Sequence, residues 1–319
     1  MAARRGKNLQ GIARVIKKGY NSPVMQSLYG FLLIFLSAVS FGAIPVFTEF
    51  VYREGVNTQS LLFLRFAIAS VLIWGIVLSG GKKLPRGKDI LILFLLGFLG
   101  YSGQSFSYFK ALKFIPPALV AILLYLYPVF VTLLSTFILK EKITRRKITA
   151  LFLAVAGTIL VIGIQKGTDI RGILLGISAA VIYSVYIITS SKVLKRNNTL
   201  SSTAVITSSS AVFFLSFCIK TELILPSSTF GWTNMVLIAA VSTAVAVYAF
   251  FAGVKLIGAV NSSMISTFEP VATMFLASAV FSYKITVLQT AGTVLIIAAA
   301  VLLSLRDVKR PAPAVNRIL

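Results

Sequence analysis

A glutamate followed by a proline, Glu269-Pro270, lies about ten residues into an apolar run that begins near residue 260. At 1.5 Å per residue that places the carboxylate roughly 15 Å deep, close to the middle of a bilayer core. A carboxylate at that depth is costly unless paired, protonated or wetted by a cavity, which makes Glu269 a candidate for binding a solute or exchanging a proton. The competing use is a buried acid that hydrogen-bonds a neighbouring helix and locks the bundle. Pro270 has no N–H and frees the carbonyl of Ser266. Tyr127-Pro128 repeats the device and frees the carbonyl of Leu124, while Pro45 frees that of Phe41. Tyr101, Gln104 and Tyr108, spaced by three and four, share one helix face. Tyr183 and Tyr186, Tyr248 after Ser242 and Thr243, and Asn261 are further polar candidates within the apolar runs. The candidate solute-binding set is therefore Tyr101, Gln104, Tyr108, Tyr127, Tyr183, Tyr248, Asn261 and Glu269, with kinks at Pro45, Pro128 and Pro270. For each tyrosine the alternative is interhelical packing or an interfacial belt. Arg65 and Glu49 fall at comparable depth toward one end of their runs, where they are expected to pair or snorkel to headgroups. Glu141 stands among five cations, a setting for a surface ion pair.

Absences narrow the chemistry. The chain has no histidine, and its single cysteine, Cys218, sits in an apolar run. Neither a disulfide within the chain nor a histidine- or thiolate-ligated metal is expected. There is no GxxxxGK[ST] loop, no carboxylate cluster for a magnesium-diphosphate enzyme, no HExxH and no GxSxG. No catalytic residue, metal or cofactor is assigned.

The elements that must position these residues are membrane helices. Hydrophobic residues make up 57% of the chain and charged residues 12%, with a mean hydropathy of +0.93. A soluble chain of 319 residues cannot hide that much apolar surface. Ten segments long enough to cross a bilayer can be marked, at 27–50, 58–80, 89–110, 116–139, 147–164, 171–191, 200–219, 232–254, 260–281 and 286–305. The chain also contains one unit twice. Residues 110–144 align with 252–286 at a constant offset of 142 without a gap. Lys113 meets Lys255, Ile115 meets Ile257, Pro128-Val129 meets Pro270-Val271, and Lys142-Ile143-Thr144 meets Lys284-Ile285-Thr286. The same offset carries Gly30 onto Gly172 and Ala38-Val39 onto Ala180-Val181. In the sixth segment Gly172, Gly176, Ala180 and Ser184 form a small-residue stripe suited to close helix packing.

The net charge of +23 is spread between apolar runs rather than gathered on one soluble module, which argues against nucleic acid as a partner. Counting Lys and Arg in alternate connections, with the N-terminus inside, gives 23 inside and 7 outside, with Arg65 within a run. Both termini are expected to be cytoplasmic. An odd number of helices per unit makes the second unit enter from the opposite side, an inverted repeat of the kind found in secondary transporters. The expected organisation is an all-α polytopic membrane protein: a basic segment at 1–26, read as an uncleaved cytoplasmic flank, five-helix units at 27–164 and 171–305, and a cytoplasmic tail at 306–319. The expected partners are a small-molecule substrate and the lipid bilayer. One chain suffices for such a path, with a homodimer left open.

The run GYSGQSFSYFKALKF at 100–114, then Tyr127-Pro128 and Lys140-Glu141-Lys142-Ile143-Thr144, resembles the EamA-type repeat of the drug/metabolite transporter superfamily. The second half resembles it in Ser242-Thr243-Ala244, Tyr248, Gly258-Ala259 and Glu269-Pro270-Val271. The resemblance covers about residues 28 to 305. It implies a ten-helix transporter with a central cavity lined by the first, third, fourth, sixth, eighth and ninth helices. It also implies alternating access and, in many members, export of amino acids, other metabolites or drugs from a bacterial-type inner membrane. Many such repeats carry an acidic residue at the end of the fourth helix. Glu141 keeps it, and Tyr283 in the second repeat does not. The rival readings are a membrane-embedded lipid flippase or enzyme, which needs polar residues at a headgroup plane, and a passive channel, which needs a continuous water path.

Overall fold

The computed structural model describes residues 23–163, 169–219, 221–282 and 284–307. The basic N-terminal segment through residue 22, Tyr283 and the tail beyond residue 307 lie outside them. Helices account for nearly all of the described chain: α1 (Pro23–Gly42), α2 (Ile44–Tyr52), α3 (Thr58–Ser79), α4 (Lys88–Leu95), α5 (Ser102–Ala111), α6 (Pro117–Leu124), α7 (Tyr127–Leu134), α8 (Arg145–Ile162), α9 (Ile170–Leu194), α10 (Thr199–Cys218), α11 (Thr229–Ala239), α12 (Ala246–Ile265), α13 (Glu269–Phe281) and α14 (Val287–Asp307). Wider, π-helical turns occupy Leu96–Tyr101, Ser135–Leu139 and Ala240–Val245, and a 3-10 turn occupies Ser266–Phe268. Among the described residues, seven helical runs are long and apolar enough to cross a bilayer, and Val287–Leu303 is a shorter apolar helix. One of the seven, Thr229–Phe281, has 53 residues. That is about 80 Å of helix against a core of about 30 Å. Gly258 breaks it, with non-helical φ 82° and ψ 166°.

Local chemistry explains where helices start and break. Asn57, Thr144, Asp169, Asn198 and Ser228 each offer a side-chain oxygen to an amide of the first turn that follows. The three kink prolines each open a new helical segment after a short interruption: Pro45 in α2, Pro128 in α7 and Pro270 in α13. A proline tolerates the first helical turn but not the interior, so each apolar run is divided where its proline stands. The carbonyl of Gly42, at the first division, accepts the Thr273 hydroxyl at 2.9 Å.

Packing brings distant parts of the sequence together through small residues. Side chains of Ile257 and Leu256 fill the space over Gly30, and Ile34 fills that over Gly253, so α1 and α12 lie close together. Gly157 of α8 and Gly292 of α14 each face the other's carbonyl oxygen. Ile115 and Phe114 cover Gly172. The pairs Gly30 with Ile257 and Gly172 with Ile115 are related by 142 residues taken in opposite directions. So are two contacts at mid-helix: Gly42 lies against the Glu269 carbonyl, and the Ser184 hydroxyl donates to the Tyr127 carbonyl at 3.1 Å. The only described non-glycine residues with positive φ, Lys140 and Ser282, are also 142 apart.

The bundle has two distinguishable ends. At one, Glu54 accepts the amides of Ser227 and Ser228, Asn57 donates to the Glu222 carbonyl, and Phe50 packs on Phe230 and Phe281. At the other, Asp89 pairs with Arg196 at 2.8 Å and accepts from Asn197, whose carbonyl receives Lys255 Nζ. Cations crowd the second end, as in Lys82, Lys83, Arg86, Lys88, Arg145 and Arg146. Glu141 pairs there with Lys147 at 3.2 Å, the surface ion pair its surroundings suggest.

Candidate functional site

Between the halves lies a cavity of about 540 Å³. Its walls come from both sides of the divided helices: Phe41, Ile44 and Pro45; Tyr101, Gln104, Ser105, Tyr108 and Phe109; Leu124, Tyr125 and Tyr127; Tyr183; and Glu269, Pro270, Thr273 and Met274. The proline breaks explain why polar side chains gather here. Each break interrupts the helical ladder at mid-span, and the residue just before the proline, Tyr127 or Glu269, begins a new helical segment beside the cavity.

Glu269 lines the cavity near Tyr125 and lies within electrostatic reach of Arg65. Arg65 also lines the cavity but is only 6% exposed. Its Nε donates to Thr243 Oγ1 at 2.6 Å, and its Nη2 donates to the Tyr101 hydroxyl at 3.2 Å and the Ser242 carbonyl at 3.3 Å. Net hydrogen bonds to a charged group contribute about 1.5–3 kcal/mol each, which offsets part of the cost of burying the guanidinium. Its partners belong to two of the π-helical turns, Leu96–Tyr101 and Ala240–Val245, so one cation ties both. Such a turn misaligns the ladder, and Thr243 Oγ1 donates to the Ile238 carbonyl five residues back. The guanidinium also lies over the Phe66 ring, 5.1 Å from its centre.

An aromatic wall completes the site. Tyr127 meets Tyr183 edge-on with centres 4.8 Å apart, Tyr183 stacks on Tyr186 at 5.8 Å, and Tyr186 on Tyr101 at 5.6 Å. The Tyr127 hydroxyl donates to the Ser263 carbonyl at 3.2 Å. Aromatic pairs in these geometries add about 0.5–1.5 kcal/mol beyond the area they bury, so the wall is stiff.

Of the residues singled out in the sequence, Tyr101, Gln104, Tyr108, Tyr127, Tyr183 and Glu269 meet at this cavity, as do Pro45 and Pro270. Pro128 is buried behind Tyr127. Two do not arrive. Tyr248 points outward, 39% exposed, because it lies five residues beyond buried Thr243, about 140° further round the helix. Asn261 is buried beside the Gly258 break, where its amide donates to the Ile257 carbonyl at 3.1 Å, and it does not line the cavity. Arg65 does not pair with Glu49 or snorkel. Glu49 pairs with Arg53 at 3.1 Å on the surface, and Arg65 turns inward. Among the described residues, the eighth segment contributes no cavity wall, and it acts through Ser242 and Thr243, which hold Arg65. The second, fifth and tenth segments add wall instead, through Arg65, Val161 and Ile162, and Gln289. Tyr125 escaped the sequence reading, although it stands two residues before Tyr127 at the same break.

The family model for the EamA-like transporter family matches residues 28–163 and again 170–305. The chain belongs to that family. It is a multi-pass membrane protein of a transporter family rather than an enzyme family. It is 28% identical over 244 residues to the uncharacterized transporter YyaM of Bacillus subtilis, covering 73% of this chain and 80% of YyaM. To the uncharacterized inner membrane transporter YhbE of Escherichia coli K12 it is 28% identical over 54% of this chain and 56% of YhbE. To the aromatic amino acid exporter YddG of Ancylobacter novellus it is 29% identical over 49% of this chain and 52% of YddG. The chain thus spans only about half the length of those last two relatives. A crystal structure with 22% identity superposes with a TM-score of 0.76, covering 86% of this chain and 96% of the other, a likeness of fold.

Proposed function

We propose that this chain is a secondary transporter that moves a small organic solute by alternating access through the central cavity. The observation that carries the reading is where the cavity reaches. Its wall continues to Pro117, Ile162, Lys284, Ile285 and Gln289, at the end where Glu54 and Phe50 lie. Among the described residues, none of its wall comes from the cation-rich end around Asp89, Arg196 and Lys255. A site closed on one side is what a carrier needs and a channel lacks. The reciprocal contacts of Gly30 with Ile257 and Gly172 with Ile115 support two inverted five-helix units, at 27–164 and 171–305, related by a pseudo-two-fold axis. The Gly258 break divides a run too long for one crossing and so makes eight runs of seven; with the further helices α8 and α14, these support ten crossings. Cations crowded at the closed end support a cytoplasmic location for that end and for both termini, in an inner membrane. The cavity then faces outward.

Glu269 is the proposed coupling residue, and export of amino acids or drug-like compounds is the proposed direction and cargo. The name of YddG makes aromatic amino acids the first cargo to try. Purified protein in liposomes should take up such a solute with a rate that saturates, and an internal load of the same solute should accelerate uptake. A rate that rises linearly with concentration would instead indicate a pore.

A further inference from the structure

The cavity carries two ionisable groups of opposite sign, and only one of them was expected there. Three of the five N–H donors of Arg65 are engaged, through Nε and Nη2, by Thr243, Tyr101 and Ser242. Nη1, with two N–H groups, has no hydrogen-bond partner among the described residues. It is not one of the described side-chain nitrogens sealed from space without a partner either, and Arg65 lines the cavity. A guanidinium pinned along one edge thus presents its remaining corner to the site. Two N–H donors at a pinned, cationic corner suit an oxyanion, and a carboxylate is the commonest oxyanion of a small organic solute. Glu269 supplies the other pole. Its carboxylate lines the same cavity, near Tyr125, and has acceptor positions to offer an ammonium group.

We infer that Arg65 and Glu269 form a two-pole site for a zwitterionic solute, with Arg65 Nη1 holding its carboxylate and Glu269 its ammonium group. The inference rests on the transporter reading above and adds which charges the cargo must bear. Each pole rejects as well as attracts. A cation without a carboxylate leaves the buried Arg65 corner unpaired and places positive charge beside it. An anion without an ammonium group does the same to Glu269. Discrimination of this kind comes from leaving a desolvated group without its partner. The tyrosines between the poles give the body of the solute an aromatic surface to lie on.

The test needs no variant in its first arm. Melting temperatures of the purified full-length protein are measured with each of the proteinogenic amino acids, then with the amide and the N-acetyl derivative of each one that stabilises. The inference predicts that at least one zwitterion stabilises, and that both its derivatives bind at least about tenfold more weakly, as expected when one member of a desolvated charge pair is removed. A derivative that binds as tightly as its parent overturns it. So does a panel in which no zwitterion stabilises. In the second arm Arg65→Lys, which keeps the charge and loses the pinned Nη1 corner, should weaken the zwitterion while leaving its amide unchanged. An amide and a zwitterion weakened equally would overturn the Arg65 assignment and reduce Arg65 to a brace between the π-helical turns. Saturable liposome uptake of a solute whose amide competes equally well would sink the two-pole site and leave the transporter reading standing. Absence of saturable uptake for every solute would sink that reading instead.

Discussion

Charge at mid-depth is the most informative feature at the scale of single residues. Glu269 was legible from sequence because a carboxylate inside an apolar run has few cheap explanations. Arg65 meets the same criterion, and the sequence argument set it aside because Glu49 offered a partner at similar depth. Sequence depth says nothing about which way a side chain points. The structure turns Glu49 outward to Arg53 and Arg65 inward to Tyr101 and Thr243. Tyr248 fails for the converse reason, since its spacing from Thr243 puts it on the opposite face. Replacing Glu269 with Gln keeps the shape of the side chain but removes the ionisable carboxyl. The account expects folded protein at ordinary yield, transport lowered at least about tenfold, as for loss of a group acting in the translocated complex, and a residual rate that no longer changes with pH. Liposome uptake measured from mildly acidic to mildly alkaline pH checks this. Wild-type rates in the variant, with the wild-type pH profile, would remove Glu269 from the mechanism.

Helical elements are divided here by proline and drawn together by glycine, and both devices could be read in part from the sequence. Pro45, Pro128 and Pro270 mark real breaks. The π-helical turns left no comparable sign, because an extra residue per turn is set by what the helix packs against. At Leu96–Tyr101 the neighbour is α10: Ser209 and the Ile206 carbonyl occupy the space a side chain on Gly97 would need, and Ser210 donates to the Gly97 carbonyl at 3.0 Å. Gly97→Val should therefore destabilise by several kcal/mol through overpacking and a lost hydrogen bond, roughly 3 or more. Denaturation of the purified protein measures it, and an unchanged melting temperature would show that α10 can yield. At the end of the bundle Glu54 braces the start of α11. The Ser228 hydroxyl, followed by the amides of Ser228 and Ser227, holds its carboxyl below the ordinary carboxylate range. A carboxyl depressed on folding stabilises above its unfolded pKa, and that contribution is lost as pH falls through the folded value. Acidification below about pH 4.5 should lower the melting temperature of the wild type more steeply than that of Glu54→Gln, which has no such charge to lose. Parallel curves would deny Glu54 that role.

For the whole molecule, the duplicated sequence was visible as a constant offset, and family membership follows from matches to both halves. Only part of the cavity wall was visible, because the second, fifth and tenth segments reach it only through tertiary packing. What the duplication predicts is motion. Two similar units can pack against each other in two related ways, and the contacts of Gly30 and Gly172 are the surfaces on which they would exchange. In the described arrangement the cavity reaches one end of the bundle, and none of its described wall residues comes from the cation-rich end.

Alternating access can be tested on a cavity residue of small side chain, since the chain has a single native cysteine, Cys218, that can be replaced by alanine. Ala121, which lines the cavity, becomes the reporter as Ala121→Cys, and a membrane-impermeant thiol reagent is added to one side of sealed vesicles or the other. Without solute, the account predicts modification from the side opposite the cation-rich end and protection from the other. With a transported solute present, access from the second side should rise as access from the first falls. Equal modification from both sides at once, unchanged by solute, would mean an open path and contradict the account.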